Sequence, residues 1–384
     1  MNPENSPSAV AAPRLTRGEF LGASAKGLGA LALLSAVPAV SATSSGTLSS
    51  VSSPANEPVC DLREFVRWII TEFEPTVRLP GGAGRYARSP GQTATELYGV
   101  ADMACNLYTL GELRPSEKER AEWLAAFQEF QNPDTGWLRE KDPTHDPLHN
   151  TAFALAAMQL LDLTPRHPVR MDAKYADIRG FLETIDWRKE VYLGSHRGAG
   201  IGSIYALVPE LGTPAWFAEY FKFCDSLFDP NNGLMGRDKP PGGDFDQIGG
   251  TFHYHFLYNH FNRQMPYPEK RIDTVLRLQQ PDGYWHPTNH LWMMIDPMYL
   301  MTRTLRQSPH RFADVQECVR RMMRVLVRDV YSAEGRSQLL AGKMAAHSLT
   351  AALSIAAEAQ QFLGVHEVIT EKPLKLVLDR RPFI

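Results

Sequence analysis

The chain has 384 residues, of which 43% are hydrophobic and 22% are charged, and its formal net charge is −3. This composition is typical of a soluble globular protein, and the length allows one large domain or two small ones. Because 40 basic side chains nearly balance 43 acidic ones, no global charge attracts nucleic acid or an anionic membrane.

Residues 1–42 are predicted to be an export signal peptide. Basic residues precede an apolar stretch over 27–40, and small residues follow at 40–42, which is the layout of such signals. The apolar stretch is too short for a convincing membrane span. "TRGEFLG" resembles a twin-arginine (Tat) signal, but Gly18 replaces the second arginine, so a Tat and a Sec route both stay open. We expect an exported protein, periplasmic or secreted, with no stable membrane insertion after the signal is removed.

A Ser-rich stretch over 43–58 is typical of a linker. The folded domain is expected over 59–366, followed by a C-terminal tail over 367–384. Its cysteines have no metal-ligand spacing, and in an exported domain they allow either disulfides or buried thiols. These cysteines are Cys60, Cys105, Cys224 and Cys318.

Helical periodicity covers nearly the whole domain, and alternating β-branched runs are almost absent. The helical segments form six pairs, in which the first member is amphipathic and the second is almost uncharged. The pairs are 60–75 with 93–113, 117–131 with 149–163, 174–187 with 200–212, 214–228 with 248–261, 267–280 with 290–305, and 314–331 with 345–364.

A helix that is apolar all round is buried on all sides. Six amphipathic helices that alternate with six apolar ones therefore predict an all-α fold, an (α/α)6 toroid with the apolar helices inside. The glycine-rich run 198–203 is interpreted as a flexible turn, because it follows no strand. Asp296, which precedes Pro297, is interpreted either as an N-cap or as a buried carboxylate inside the ring.

The motif Q-x-P-D-x-x-W occurs twice, at 131–137 and 279–285, each time after an amphipathic helix. The proline stops the helix, the aspartate forms the turn and a glycine supplies positive φ. The glutamine can bond carbonyls left free at the helix end, and the tryptophan fills the space between helix pairs. "LFDPNNGLMG" is similar to a degraded third copy.

These turns, together with apolar helices that begin with histidine, resemble the toroids of terpenoid cyclases and protein prenyltransferases. Glycan-active helical toroids have similar turns. The resemblance covers about 60–364 in architecture and is specific in two or three loops, so it bears on the fold more than on the chemistry.

Candidate site residues lie where the apolar helices begin, because in a toroid these ends surround one mouth of the cavity. The densest stretch is "GGDFDQIGGTFHYHFLYNHFNR", in which the two aspartates are either N-caps or part of the site. The catalytic candidates are His255, Tyr258, Asp246, Asp244, His149 and His253. The substrate-binding candidates are Asn150, Asn259, His290, Trp285, Trp292, Tyr98, His347 and Arg197.

No metal ligand is predicted, because His253 and His255 point in different directions on a helix. A divalent cation held by loop aspartates such as Asp229 is left open, although their spacing fits no known loop. No cofactor is predicted.

These residue types suit β-elimination of a uronic-acid glycan, in which one group takes the C5 proton, one protonates the leaving oxygen, and a third neutralises the carboxylate. Hydrolysis would instead need two carboxylates. The leading hypothesis is therefore an exported polysaccharide lyase or glycosidase, with a small molecule or oligosaccharide as its partner. One alternative is a terpenoid-cyclase-like enzyme with Asp246 as general acid, since "DFDQ" resembles D-x-D-D. The other is a noncatalytic ligand-binding toroid.

Overall fold

The structure is a computed structural model that describes residues 58–141, 144–238, 240, 242–286, 291–380 and 382. The predicted signal peptide and all but the last residue of the predicted linker lie outside these residues. His290 and the side chain of Trp292 also lie outside the described part of the chain. None of the described helices combines the length and apolarity needed to cross a membrane.

The described chain is mostly helical, as the sequence predicts. One set of helices is largely buried. It comprises α3 (Leu97–Thr109), α5 (Pro147–Leu160), α7 (Val191–Leu207), α9 (Gly243–His260), α11 (Ile295–Thr304) and α14 (Ala346–Leu363). A second set carries charges along an exposed face. It comprises α1 (Arg63–Trp68), which continues through a π-helical turn (Ile69–Phe73) into α2 (Glu74–Val77), and α4 (Glu117–Gln128), α6 (Ile178–Glu183), α8 (Pro214–Asp225), α10 (Pro268–Leu278) and α12 (Phe312–Leu326).

Short elements complete the described chain. They are the strands β1 (Cys60–Asp61) and β2 (Val368–Ile369), the helices α13 (Ala333–Leu340) and α15 (Val377–Arg380), 3-10 turns at Ala173–Tyr175 and Leu291–Met293, and a π-helical turn at Val327–Tyr331. The two strands pair in parallel, with Cys60 opposite Val368. The segment predicted as a tail therefore packs against the first residues of the domain.

The buried helices contact one another in succession. Helix α3 packs on α5, α5 on α7, α7 on α9, α9 on α11 and α11 on α14, and α14 contacts α3 again. Their side chains, with the apolar faces of the amphipathic helices, form one hydrophobic core. The four cysteines are buried free thiols, which is one of the two arrangements that the sequence allows.

Both Q-x-P-D-x-x-W loops make the same pair of contacts. The Gln131 side-chain amide donates to the carbonyls of Gly136 (2.9 Å) and His167 (2.8 Å). The Gln279 amide donates to Gly283 (3.0 Å) and Cys318 (3.1 Å). Each glutamine thus joins its own loop to a later segment, which is a stronger structural role than bonding a helix end.

The interpretation of 198–203 as a flexible turn is wrong, because these residues lie inside α7. Their glycines are points of close helix contact: a Cβ added at Gly202 would lie 2.5 Å from the Leu257 side chain. Asp296 is not an N-cap either, because α11 begins at Ile295 and has Met294 as its N-cap. Asp296 is instead the buried carboxylate of the alternative interpretation.

Candidate functional site

A cavity of about 440 Å³, which we call the histidine pocket, opens among the buried helices. About half of its residues lie in the first turns of α5, α7, α11 and α14. The pocket is lined by Arg88, Thr144, His145, His149, Tyr192, Leu193, His196, Phe252, His253, Ile295, Asp296, Ala345, His347, Ser348 and Ala351.

Glycines allow the helices that carry the pocket to approach closely. A Cβ at Gly200 of α7 would lie 3.0 Å from a backbone carbon of Leu148 in α5. A Cβ at Gly250 of α9 would lie 2.6 Å from a methyl carbon of Val191 in α7. These approaches leave no room for a side chain, so α5, α7 and α9 meet at backbone distance.

The close packing brings three histidines together. His149 lies in the first turn of α5, which Asp146 begins by accepting the backbone N–H of Leu148 at 2.8 Å. His196 comes from α7 and His253 from the middle of α9. One ring nitrogen of each lies within 4.8 Å of those of the other two. All three side chains are buried.

Burial keeps these imidazoles neutral. It lowers the pKa of His149 and His196 well below the usual value, and their neighbouring histidines lower it further. Burial also lowers the pKa of His253 to about 4, although its bond to Gly249 opposes the shift. A neutral imidazole keeps one lone pair, so each ring can accept a proton or bind a metal ion.

Carboxylates lie behind two further histidines of the pocket. His347 Nδ1 lies 3.0 Å from Asp102 Oδ1, and Asp102 is fully buried and also accepts the hydroxyl of Thr350 at 2.9 Å. His145 Nδ1 lies 3.2 Å from Glu140 Oε2. A carboxylate in this position makes Nδ1 the protonated nitrogen and leaves the Nε2 lone pair for a ligand or a substrate proton.

Asp296 and Tyr192 add acidic groups to the pocket. Burial raises the pKa of Asp296 well above its usual value, and its Oδ2 has no hydrogen-bond partner among the described residues. Burial also raises the pKa of the Tyr192 phenol, with the nearby charge of Asp296 as the next cause. Both groups therefore favour their protonated forms in the folded protein.

Four of the predicted site residues meet at this pocket. His149, His253 and His347 line it. Tyr98 lies behind the lining, with its hydroxyl 2.6 Å from Nδ1 of His149. Tyr98, His149 and His347 lie in the first turns of their helices, whereas His253 lies in the middle of α9.

Several catalytic candidates lie elsewhere. His255 is fully buried against Tyr299, and neither of its ring nitrogens has a hydrogen-bond partner among the described residues. Tyr258 donates its hydroxyl to Asp225 at 2.6 Å. None of these residues lines the histidine pocket.

The two aspartates of "GGDFDQ" have structural contacts. Asp244 accepts a hydrogen bond from Arg277 at 2.8 Å. Burial raises the pKa of Asp246, although the nearby backbone N–H groups of Val191 and Tyr192, where α7 begins, oppose the shift. Its Oδ2 has no hydrogen-bond partner among the described residues. Asp246 does not line the histidine pocket.

The other substrate-binding candidates are dispersed. Trp285 is buried and donates its indole N–H to Val275 at 2.9 Å. Asn150 is buried, and its side-chain amide has no hydrogen-bond partner among the described atoms. Arg197 lies 3.6 Å from Glu190, at a separate surface cavity. Asn259 donates to the hydroxyl of Tyr299 at 2.7 Å.

The residues predicted from the sequence omit part of the pocket. Tyr192 lies in a segment that was interpreted as a loop, and Arg88 and His145 lie in connections rather than helices. No local spacing links His196 to His149 or His253. Three helices supply the three rings, so only the fold brings them together.

A second cavity of about 320 Å³, which we call the arginine pocket, lies where α9 and α11 end. It is lined by Phe256, Asn259, His260, Asn262, Arg263, Gln264, Arg303, Arg306, Gln307, Leu378 and Asp379. The guanidinium of Arg303 is fully buried and pairs with the carboxylates of Glu358 and Asp379. Its charge is thus satisfied within the protein.

Of the two cavities, the histidine pocket has more side chains that can transfer protons or bind a cation. It is lined by imidazoles whose pKa burial lowers, a phenol, a carboxyl whose pKa burial raises, and Arg88. These groups can move protons or hold a cation beside a bound molecule. The chain matches no protein-family model, no curated protein and no solved structure.

Proposed function

We propose that the chain forms an (α/α)6 toroid whose inner helices are α3, α5, α7, α9, α11 and α14. Two observations support this arrangement. The contacts between these helices run in a closed succession from α3 to α14 and return to α3. The amphipathic helices alternate with them along the chain. The histidine pocket would then be the mouth of the central cavity.

We further propose that the protein is an exported lyase that cleaves a uronic-acid glycan by β-elimination in the histidine pocket. The observation that carries this proposal is the contact between His347 and the buried Asp102, since His347 lines the same cavity as Tyr192. With Nδ1–H donating to Asp102, the Nε2 lone pair of His347 can take the C5 proton of a uronate.

The other groups of the pocket suit the remaining steps. Because Tyr192 keeps its proton, it can donate it to the leaving glycosidic oxygen. Arg88 lies at the pocket, 3.5 Å from Glu140, and can neutralise the substrate carboxylate that makes the C5 proton acidic. The elimination breaks the C5–H and C4–O bonds and leaves a C4–C5 double bond in the product.

Elimination is favoured over hydrolysis because hydrolysis needs two carboxylates about 5–10 Å apart. Asp296 is the one carboxylate among the described residues that line the pocket. Asp244 pairs with Arg277 instead, and neither Asp244 nor Asp246, the two aspartates considered for this role, lines the pocket.

The test is to incubate the purified protein with a panel of uronic-acid polysaccharides and to follow the ultraviolet absorbance of unsaturated ends. We expect a rise with at least one polysaccharide. His347→Gln should lower the rate by about 10²–10⁴-fold, the usual contribution of a general base, and Tyr192→Phe should also lower it. His260→Gln, in the arginine pocket, is the matched control and should leave the rate unchanged.

Two results would contradict the proposal. One is the absence of both unsaturated and new reducing ends with every polysaccharide. The other is a folded His347→Gln variant with the wild-type rate.

A further inference from the structure

We propose that His149, His196 and His253 form a binding site for a transition-metal ion, and that the ion is Zn²⁺. The ring centroids lie 4.5 Å apart for His149 and His196, 5.3 Å for His196 and His253, and 5.9 Å for His149 and His253. One nitrogen of each ring lies within 4.8 Å of the other two. Small rotations of the rings would let all three contact one ion.

Neighbouring groups orient two of the rings. The Nδ1 of His253 lies 2.8 Å from the carbonyl of Gly249 and 3.0 Å from the hydroxyl of Ser195. A carbonyl can only accept, so Nδ1 carries the hydrogen and Nε2 carries the lone pair. Such a bond behind the ring is typical of histidines that bind metals, because it fixes the tautomer and the ring orientation.

His149 has a similar partner. Its Nδ1 lies 2.6 Å from the hydroxyl of Tyr98, a fully buried residue whose ring is stacked on that of His145 at 4.4 Å. The phenol oxygen can accept Nδ1–H, which turns the Nε2 lone pair away from Tyr98. The same oxygen can donate instead, so binding of a metal ion would select one of the two tautomers.

A single ion can accept lone pairs from all three rings at once, whereas a hydrogen bond between two rings uses one lone pair only.

The ligand set indicates the ion. Three imidazoles suit Zn²⁺ and other borderline metals and do not suit Ca²⁺ or Mg²⁺, which prefer oxygen ligands. A zinc ion with three protein ligands keeps a fourth position for water or a substrate oxygen. The pocket provides space for such a ligand. This site does not depend on the proposed elimination, because an ion can bind here whichever reaction the pocket performs.

The test is metal binding by the purified protein after EDTA treatment and dialysis. Titration with Zn²⁺ alone, followed by calorimetry, should show one ion per chain with a dissociation constant below about 1 µM. Co²⁺ should give the visible absorption bands of a site with four or five ligands. His196→Gln and His253→Gln should each weaken Zn²⁺ binding at least about 100-fold, because each removes one of three ligands.

The matched control is His260→Gln, which changes a histidine of the same helix as His253 but at the arginine pocket. It should bind Zn²⁺ as the wild type does. If a variant fails to fold, the stoichiometry and the Co²⁺ spectrum of the wild type still decide the matter. The proposal is overturned if the wild type binds no Zn²⁺ at 100 µM, a concentration about 100-fold above the expected dissociation constant. It is also overturned if both folded variants keep wild-type affinity. Neither result bears on whether unsaturated ends are formed.

Discussion

The histidine pocket and the arginine pocket lie at different ends of the same two helices. Helix α9 contributes His253 to the first and His260 to the second, and α11 contributes Asp296 and Arg303 in the same way. In the arginine pocket, the buried charge is paired with carboxylates. In the histidine pocket, Oδ2 of the buried Asp296 carboxyl has no hydrogen-bond partner among the described residues. The arginine pocket thus pairs its buried charge, whereas the histidine pocket leaves a buried polar atom unpaired at a cost in stability.

Among the substitutions that test this comparison, Glu358→Gln is expected to change the free energy of unfolding most. The change leaves the guanidinium of Arg303 buried with a neutral partner in place of its buried carboxylate partner. Breaking a buried ion pair from one side costs about 3–5 kcal/mol, and we expect the free energy of unfolding in urea to fall by about 3 kcal/mol or more. Asp379→Asn, at the half-exposed partner, should cost much less. Equal losses would contradict the assignment of Glu358 as the main partner.

An intermediate effect is expected for Gly250→Ala. The added Cβ would lie 2.6 Å from Val191 and would push α9 away from α7. Overpacking of this kind costs about 1–3 kcal/mol, which chemical denaturation would measure. Because the same contact places His253 beside His196, Zn²⁺ affinity should fall as well. An alanine variant with wild-type stability and wild-type Zn²⁺ affinity would show that close helix packing does not position the histidines.

Asp296→Asn should raise the free energy of unfolding, whereas Glu358→Gln should lower it. Burial raises the pKa of Asp296 above its value in the unfolded chain, so the unfolded state loses its proton first as the pH rises. The folded state is therefore progressively destabilised as the pH rises from the unfolded pKa toward the folded one. Asparagine removes this cost, and we expect about 1 kcal/mol or more of added stability at pH 7.

The pH dependence of the stability gain shows whether it comes from the ionisation of Asp296 or from another effect of the substitution. The difference in unfolding free energy between Asp296→Asn and the wild type should shrink toward zero below pH 4, where both states of the wild type are protonated. A gain that is the same at pH 3.5 and pH 7 would mean that the asparagine acts through a new contact instead.

The smallest effect is expected for Asp244→Asn. The carboxylate pairs with the largely exposed guanidinium of Arg277, and such pairs contribute about 0–1 kcal/mol. We expect unchanged lyase activity and a loss of stability within about 0.5 kcal/mol. A large loss of activity would restore Asp244 as a catalytic residue and move the active site away from the histidine pocket.

The sequence predicts most of the helical architecture because its patterns are local. Uncharged helices alternate with amphipathic ones, and the paired glutamine and tryptophan of each loop mark the joints between them. The glycines of α7 misled the prediction, because they are poor helix formers in isolation. They are tolerated in the helix because neighbouring helices fill the space that a side chain would occupy.

The site was harder to predict for a related reason. His149 and His347 lie where apolar helices begin, which is where the sequence pattern predicts site residues. His253 lies far along α9, and His196 lies beside two histidine rings that are distant from it in sequence. Asp102 is buried in α3 and has no motif around it. Such residues are recognised by what surrounds them in space, which a single sequence does not record.

The pairing of β1 with β2 has a consequence for how the molecule folds. The strands come from opposite ends of the described chain, and Arg303 and Ser203 make further contacts with Asp379 and Pro382. Contacts between segments this far apart in sequence must overcome a large loop-closure entropy, so we expect them to form late in folding.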